Sequence, residues 1–359
     1  MELTSYKTLG KSGLRISPLT LGTMTFGKDW GYGTSPENSV KILEKYIALG
    51  GNTIDTANIY TKGHSEKIIG DYIKGNNIRR DRLVLSTKFF GNMYPGDPNG
   101  GGTSRKTMIT SLENSLRRLK TDYIDLFWVH AYDEFTPIEE TLSALHDLVT
   151  SGKVRYIAIS DTPAWKISQA QMIAHFRGWS SFIGLQVEYS LLERTSEGEL
   201  IPMAQELGLG VMPWSPLKQG VLTGKYTRDN KGEKLSDRYD NPAFSESTYS
   251  IIDGLLKIAK EKNVTPGEIA LAWVISRPGV TSTLMGVRTM DHLTTNLNAL
   301  KITLTKAEQG YLDDISKPDL NFPIPFLETA RNVAHAGATI NGITSVVPDI
   351  LLNIKDEKY

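Results

Sequence analysis

The 359-residue chain contains no cysteine. That excludes a disulfide framework and thiolate metal ligation, and it fits a reducing compartment. Neither sign of charge is in excess: 40 Lys and Arg balance 40 Asp and Glu. A neutral chain sets up no global positive field to draw in nucleic acid or an anionic membrane surface, so neither partner is expected. No apolar run approaches the roughly 20 residues of a membrane span. Residues 1–20 lack the continuous apolar core of a signal peptide. The expectation is a cytoplasmic protein. The glycine fingerprint of dinucleotide-binding folds is missing too. Gly31-Tyr32-Gly33 and Gly100-Gly101-Gly102 both lack the third glycine and the strand–turn–helix setting. Histidines with metal-ligand spacing are absent, so no metal is expected.

What the chain does carry is a regular alternation. At 40% hydrophobic and 22% charged residues it has the composition of a soluble globular protein, long enough for one large barrel or two ordinary domains. Residues 6–9 and 14–18 flank Gly10-Lys11-Ser12-Gly13 and predict a hairpin. Eight strands follow, over 19–22, 52–54, 82–87, 123–129, 153–160, 183–187, 210–214 and 281–285. Helices alternate with them, from Pro36 and over 65–74, 105–119, 137–149, 164–176, 196–207, 249–262, 266–276 and 291–300. Their inward stripes include Val40, Leu43 and Ile47, then Ile109, Leu112, Leu116 and Leu119, then Ile138, Leu142, Leu145 and Val149. The pattern spans about 280 residues, near the usual size of a (β/α)8 barrel. A doubly wound sheet shares the alternation, but the missing fingerprint favours the barrel. Residues 215–246 break the rhythm with a polar segment of a length that is usually functional or mobile. The chain reads as one domain, 1–359: a hairpin at 1–18, a TIM barrel at 19–316 and a C-terminal extension at 317–359. A last helix at 304–315 precedes a tail with no clear period. The sequon Asn263-Val264-Thr265 reads better as a helix cap before Pro266.

Three successive strands end in ionisable residues: Asp55, Lys88 and His130. Strand C-termini are where barrel enzymes keep their chemistry. In a barrel these three would converge, with Tyr60 arching over them. An unperturbed phenol has a pKa near 10, and a nearby ammonium is expected to lower it. A carboxylate would keep the lysine charged and in place, and a histidine can orient a substrate oxygen. Alone, each residue has a plainer reading as loop charge, half-buried aromatic or core histidine. Together, in this order, they make a coherent proton-transfer site.

With those residues in place, the chain resembles the aldo-keto reductase superfamily over nearly all of residues 6–315. The resemblance is carried by Asp55-Thr56-Ala57 with Tyr60, by Gly63-His64-Ser65-Glu66, and by Ser86-Thr87-Lys88. It continues in Leu116-Arg117-Arg118-Leu119 leading to His130, in Gly152-Lys153-Val154-Arg155, and in Leu185-Gln186-Val187-Glu188-Tyr189. Pro213-Trp214-Ser215-Pro216-Leu217, Gly220 to Lys225, and Gly286-Val287-Arg288-Thr289 complete it. The resemblance implies an NADP(H)-dependent reductase of aldehydes or ketones, with Tyr60 as general acid supported by Asp55, Lys88 and His130. It places Gly22, Thr23, Met24 and Asp55 near the cofactor. Ser160, Asp161 and Gln186 would hold the carboxamide, and Trp214 would stack on the nicotinamide. Ser215, Pro216, Leu217, Gly220 and Lys225 would lie along the pyrophosphate, and Gly286, Arg288, Thr289, His292 and Asn296 would form the adenosine end. Asp161, His292 and Thr295 depart from the commonest pattern. Substrate-pocket candidates are Phe26, Trp30, Phe89, Tyr94 and part of 215–246. A second reading is a cofactor-binding regulatory subunit resembling channel-associated β subunits, since those keep the same four residues. The oligomeric state is open.

Overall fold

In the computed structural model, residues 1–76, 78–233, 235 and 243–352 are described. The N-terminal hairpin pairs β1 (Lys7–Thr8) with β2 (Arg15–Ile16). It sits under the strand N-termini: Lys11 N–H donates to the Gly208 carbonyl at 2.8 Å, and Leu9 and Ile16 are fully buried against Trp128, Ala158 and Met212 inside the barrel. Burying apolar side chains there closes the bottom of the barrel and stabilises it by removing their surface from water.

Eight parallel strands follow: β3 (Leu19–Gly22), β4 (Thr53–Asp55), β5 (Val84–Phe89), β6 (Ile124–Val129), β7 (Val154–Ser160), β8 (Phe182–Glu188), β9 (Gly210–Trp214) and β10 (Thr283–Gly286). They pair in chain order, and β10 returns to pair with β3, Gly286 opposite Gly22. The last seam is closed by Val211, whose N–H donates to the Gly279 carbonyl at 3.1 Å and whose carbonyl accepts from Thr281 N–H at 2.8 Å. The (β/α)8 expectation is met. Helices α1 (Pro36–Ala48), α2 (His64–Gly75), α3 (Arg105–Leu119), α4 (Ile138–Thr150), α5 (Ala164–Arg177), α6 (Leu200–Leu207), α7 (Glu246–Lys262), α8 (Pro266–Ile275), α9 (Met290–Asn298) and α10 (Lys306–Ile315) accompany the strands.

Two stripes are corrected. Ile109 faces outward, and Met108 is the buried residue of that turn of α3. In α1 the buried stripe is Ile42, Leu43 and Tyr46, with Val40 and Ile47 at its flanks. Aromatic Tyr46 was left off the sequence stripe, yet its hydroxyl donates to the Leu19 carbonyl at 2.8 Å. Asn263 ends α7 in a left-handed cap and Thr265 opens α8 with a full capping box, as the Thr-Pro reading requires.

The chain forms two compact units, Met1–Lys317 and Pro318–Tyr359. In the second, α11 (Ile324–His335) precedes a hairpin of β11 (Thr339–Ile340) and β12 (Ile343–Thr344), then α12 (Asp349–Leu352). Asn341 and Gly342, both at positive φ, make the hairpin turn. Among the described residues, no helix is long and apolar enough to cross a membrane.

Candidate active site

Strand alternation sorts the residues of β5. Ser86 and Lys88 point into the barrel, and Thr87 between them points out to α2. Inside, the fully buried Lys88 ammonium pairs with Asp55, itself 1% exposed. It also donates to the Thr56 carbonyl at 2.9 Å and to Tyr60 Oη at 3.2 Å. Ser86 Oγ donates to Asp55 Oδ1 at 2.7 Å, and Gln186 Nε2 approaches the same oxygen at 3.5 Å. Thr23 fastens the other side of Asp55: its N–H and its hydroxyl both donate to the Asp55 carbonyl at 2.9 Å. The His130 ring meets the Tyr60 ring edge-on, 5.9 Å between centroids. The four residues expected to converge do so.

Tyr60 is aimed by the loop behind it. Thr61, Lys62 and Gly63 are all left-handed, at φ 46, 57 and 85. Two of the three carry side chains that avoid this region, so the turn needs outside support. Thr61 Oγ1 donates to the Phe26 carbonyl at 2.8 Å and accepts from Ser65 N–H at 3.0 Å. Behind the outward Thr87, buried Glu66 accepts from Thr87 Oγ1 and from Arg118 Nε, both at 2.6 Å. Gly70 lets α2 approach α3 there, since a Cβ would lie 2.3 Å from the Arg118 carbonyl. Glu66 belongs to the Gly63-His64-Ser65-Glu66 motif, which by itself gives it no role. The signal was its position in the first turn of α2, facing the outward residue of β5.

The electrostatics correct one expectation. Burial would pull Lys88 down, but Asp55 and Tyr60 outweigh it and hold its pKa above the ordinary lysine value. Tyr60 moves the opposite way from the sequence expectation. Burial raises its pKa more than the Lys88 charge lowers it, and Asp55 adds to the rise. Tyr60 therefore stands protonated at neutral pH, the state a proton donor needs, with the Lys88 ammonium beside its oxygen.

Burial and the Lys88 charge push His130 down to about 3 from the ordinary 6.5. It is neutral across the physiological range and can donate one N–H to a substrate oxygen. The unfolded chain takes a proton on this ring below about 6.5, while the folded chain refuses it down to about 3. The unfolded state thus binds more protons in that window, and stability falls as the pH drops through it. Urea unfolding of His130→Asn should show a shallower decline between those values, by up to about 1.4 kcal/mol per pH unit. A decline as steep as that of the wild type would mean the ring takes no part.

The other expected residues line the same rim. Ser160 ends β7 in register with Gln186 of β8, and Trp214 ends β9. Trp214 Nε1 donates to Asp161 Oδ1 at 3.0 Å, and Ser160 Oγ to Asp161 Oδ2 at 3.0 Å. Burial raises the pKa of the Asp161 carboxyl, while these two donors lower it in part. Gly22 and half-buried Met24 lie at the end of β3. Beyond β9, Ser215, Lys218, Gln219 and Gly220 are left-handed, at φ 52, 45, 53 and 97. Leu217 before Lys218 is near the right-handed region, at φ −103 and ψ 12, and such a pair curves backbone amides into an anion-binding concavity. Pro216 is buried beneath it. Lys225, Arg288 and His292 lie close together. Partial desolvation lowers the His292 pKa first, and the Arg288 and Lys225 charges lower it further. Thr289 caps α9 by accepting from His292 N–H at 3.2 Å, and buried Asn296 reaches the Gly286 carbonyl at 3.5 Å.

Of the expected pocket aromatics, Trp30 meets Tyr60 edge-on at 6.3 Å and Tyr94 is 53% exposed. Phe26 and Phe89 do not reach the pocket. Both are fully buried in the core, Phe89 stacked on Phe127 at 4.7 Å. Phe89 is the last residue of β5 and not the first of the loop, so alternation turns it away from Lys88. Residues 234 and 236–242 of the polar segment lie outside the described residues. His64 is held apart from the tetrad, its Nδ1 2.9 Å from Asp29 Oδ2. Among the described residues, no cluster has the ligands for a metal.

Comparison with known proteins agrees with this geometry. The family model described as "Aldo/keto reductase family" matches residues 18–317. An uncharacterized oxidoreductase of Bacillus subtilis is 38% identical over 338 residues, covering 92% of this chain and 99% of the relative. A putative aryl-alcohol dehydrogenase of Saccharomyces cerevisiae is 36% identical, covering 90% of this chain and 89% of the relative. A Phanerodontia chrysosporium protein named as an NADP(+) aryl-alcohol dehydrogenase is 34% identical, covering 87% and 85%. With the family pattern over most of its length and the barrel that carries it, the chain belongs to the aldo/keto reductase family and is an oxidoreductase.

Proposed function

We propose that this protein interconverts an aldehyde or ketone and its alcohol with NADP(H), Tyr60 carrying the proton. The observation behind this reading is the Tyr60 hydroxyl 3.2 Å from a buried, charged Lys88. The residues present suit the cofactor. Ser215 Oγ is buried without a hydrogen-bond partner, at the edge of the left-handed turn whose amides suit a pyrophosphate. Lys225 and Arg288 supply the cationic donors that a phosphorylated ribose needs, and the neutral His292 can add a hydrogen bond. Trp214 offers a flat face at the strand ends.

Bound NADPH would supply the hydride, and the chain's own side chains do the rest. His130 and Tyr60 donate hydrogen bonds to the carbonyl oxygen and orient it. Tyr60 gives its proton as negative charge gathers there. Lys88 stabilises the phenolate left behind, and Asp55 keeps Lys88 charged and in place. Ser160 and Gln186 would hold the carboxamide, and Asn296 with Gly286 and Thr289 would frame the adenosine.

Arg288 is the residue assigned to the 2′-phosphate. A charged hydrogen bond contributes roughly 1.5–3 kcal/mol, so NADPH should bind on the order of ten- to a hundredfold more tightly than NADH. Arg288→Ala should abolish most of that difference. Equal dissociation constants in the wild-type protein, by fluorescence titration, would refute the assignment. Turnover itself is tested by NADPH oxidation with a simple aromatic aldehyde, chosen because relatives are named aryl-alcohol dehydrogenases and Trp30 stands beside Tyr60. Tight cofactor binding without turnover across aldehydes, ketones and sugars would favour the regulatory-subunit reading instead.

A further inference from the structure

Asp161 is a carboxylate at the rim with no cation of its own among the described residues. Asp55 pairs with Lys88, and Glu188 pairs with Lys218 at 2.7 Å. Asp161 forms no ion pair among the described residues, although both its oxygens are bonded. Each oxygen accepts, one from an indole N–H that can only donate. An ionised carboxylate accepts both bonds, one on each oxygen. The residue sits at φ 42, a left-handed position that Asp and Asn tolerate. Its charge reaches both the Tyr60 phenol and Lys88, so it is felt at the reacting centre.

The indole it holds is half-buried, with the carboxylate bonded at its edge. A flat aromatic face beside an unpaired negative charge is a site for a flat cation. The indole face attracts positive charge through its quadrupole, and the carboxylate attracts it directly. We infer that Asp161 makes the nicotinamide pocket selective for the oxidised, positively charged form of the cofactor. The inference rests on the function proposed above.

The measurement is the ratio of dissociation constants for NADP+ and NADPH, read by tryptophan fluorescence with no substrate present. Asp161→Asn and Asp161→Ser both remove the charge and back each other up if one fails to fold. Asp161→Glu keeps it. The two neutral variants should raise the ratio about tenfold, about 1.4 kcal/mol, through weaker NADP+ binding. The glutamate variant should stay within about threefold of the wild type, or roughly 0.7 kcal/mol. An unchanged ratio in the neutral variants, or an equal rise in the glutamate variant, would overturn the inference while leaving the oxidoreductase reading intact. A wild-type protein that binds neither cofactor would sink both.

Discussion

Tyr60→Phe is expected to lose about 10²–10⁴-fold in kcat, the usual worth of a positioned proton donor, with cofactor affinity nearly unchanged. The phenylalanine ring can keep the edge-on contacts with Trp30 and His130, so the pocket should hold its shape. What disappears is a single hydroxyl, 3.2 Å from Lys88 Nζ. Its raised pKa keeps it protonated before the reaction, and the ammonium stabilises the oxygen after the proton has gone. Single-turnover measurements should place the loss in the chemical step. A variant that kept nearly all of its kcat, with chemistry rate-limiting, would show that the proton comes from elsewhere.

Lys88→Met should damage both catalysis and folding. The ammonium is fully buried and its partner Asp55 is 1% exposed. Removing one member of a buried pair strands the other charge and typically costs about 3–5 kcal/mol. Loss of a preorganised charge at the reacting oxygen costs a further 10²–10³-fold, roughly, in rate. The two effects can be separated. In Asp55→Asn/Lys88→Met the stranded carboxylate is gone, so urea unfolding should recover much of the stability while the rate stays low. Because the folded pKa of Lys88 is raised, the pair's contribution is complete below the ordinary lysine value and fades only as the pH climbs through the folded one. The stability loss should therefore be equally large from about pH 6 to about pH 9. Wild-type stability and rate in the single variant would reduce Lys88 to a spectator.

The barrel was legible because its signals are local. Strand runs such as residues 210–214 and the helix over 105–119 show their periods within a few residues, and their observed bounds coincide with those read from the sequence. Strand ends were legible for the same reason, so Asp55, Lys88 and His130 could be placed side by side before any coordinates. The second unit's hairpin was missed although Asn341-Gly342 is a strong turn signal. Its strands are only two residues each, too short to show a period.

Side-chain direction at a boundary was harder. Moving the end of β5 by two residues put Phe89 in the strand, and with it into the core beside Phe127. Ile109 and Met108 exchange inside and outside because adjacent helical positions differ by about 100°, and both are apolar.

Local pattern in the chain alone was enough to specify eight strands, their order and the four side chains that meet at one rim. Three properties of that rim came only from the folded molecule. Tyr60 is raised where its nearest charge argued for the reverse, because desolvation depends on everything packed around it. Asp161 and Trp214 bond although 53 residues separate them. Cationic Lys225 joins Arg288 and His292 from a different segment. Each depends on groups far apart in the chain, and burial and electric field are set by distances in space that no local period records.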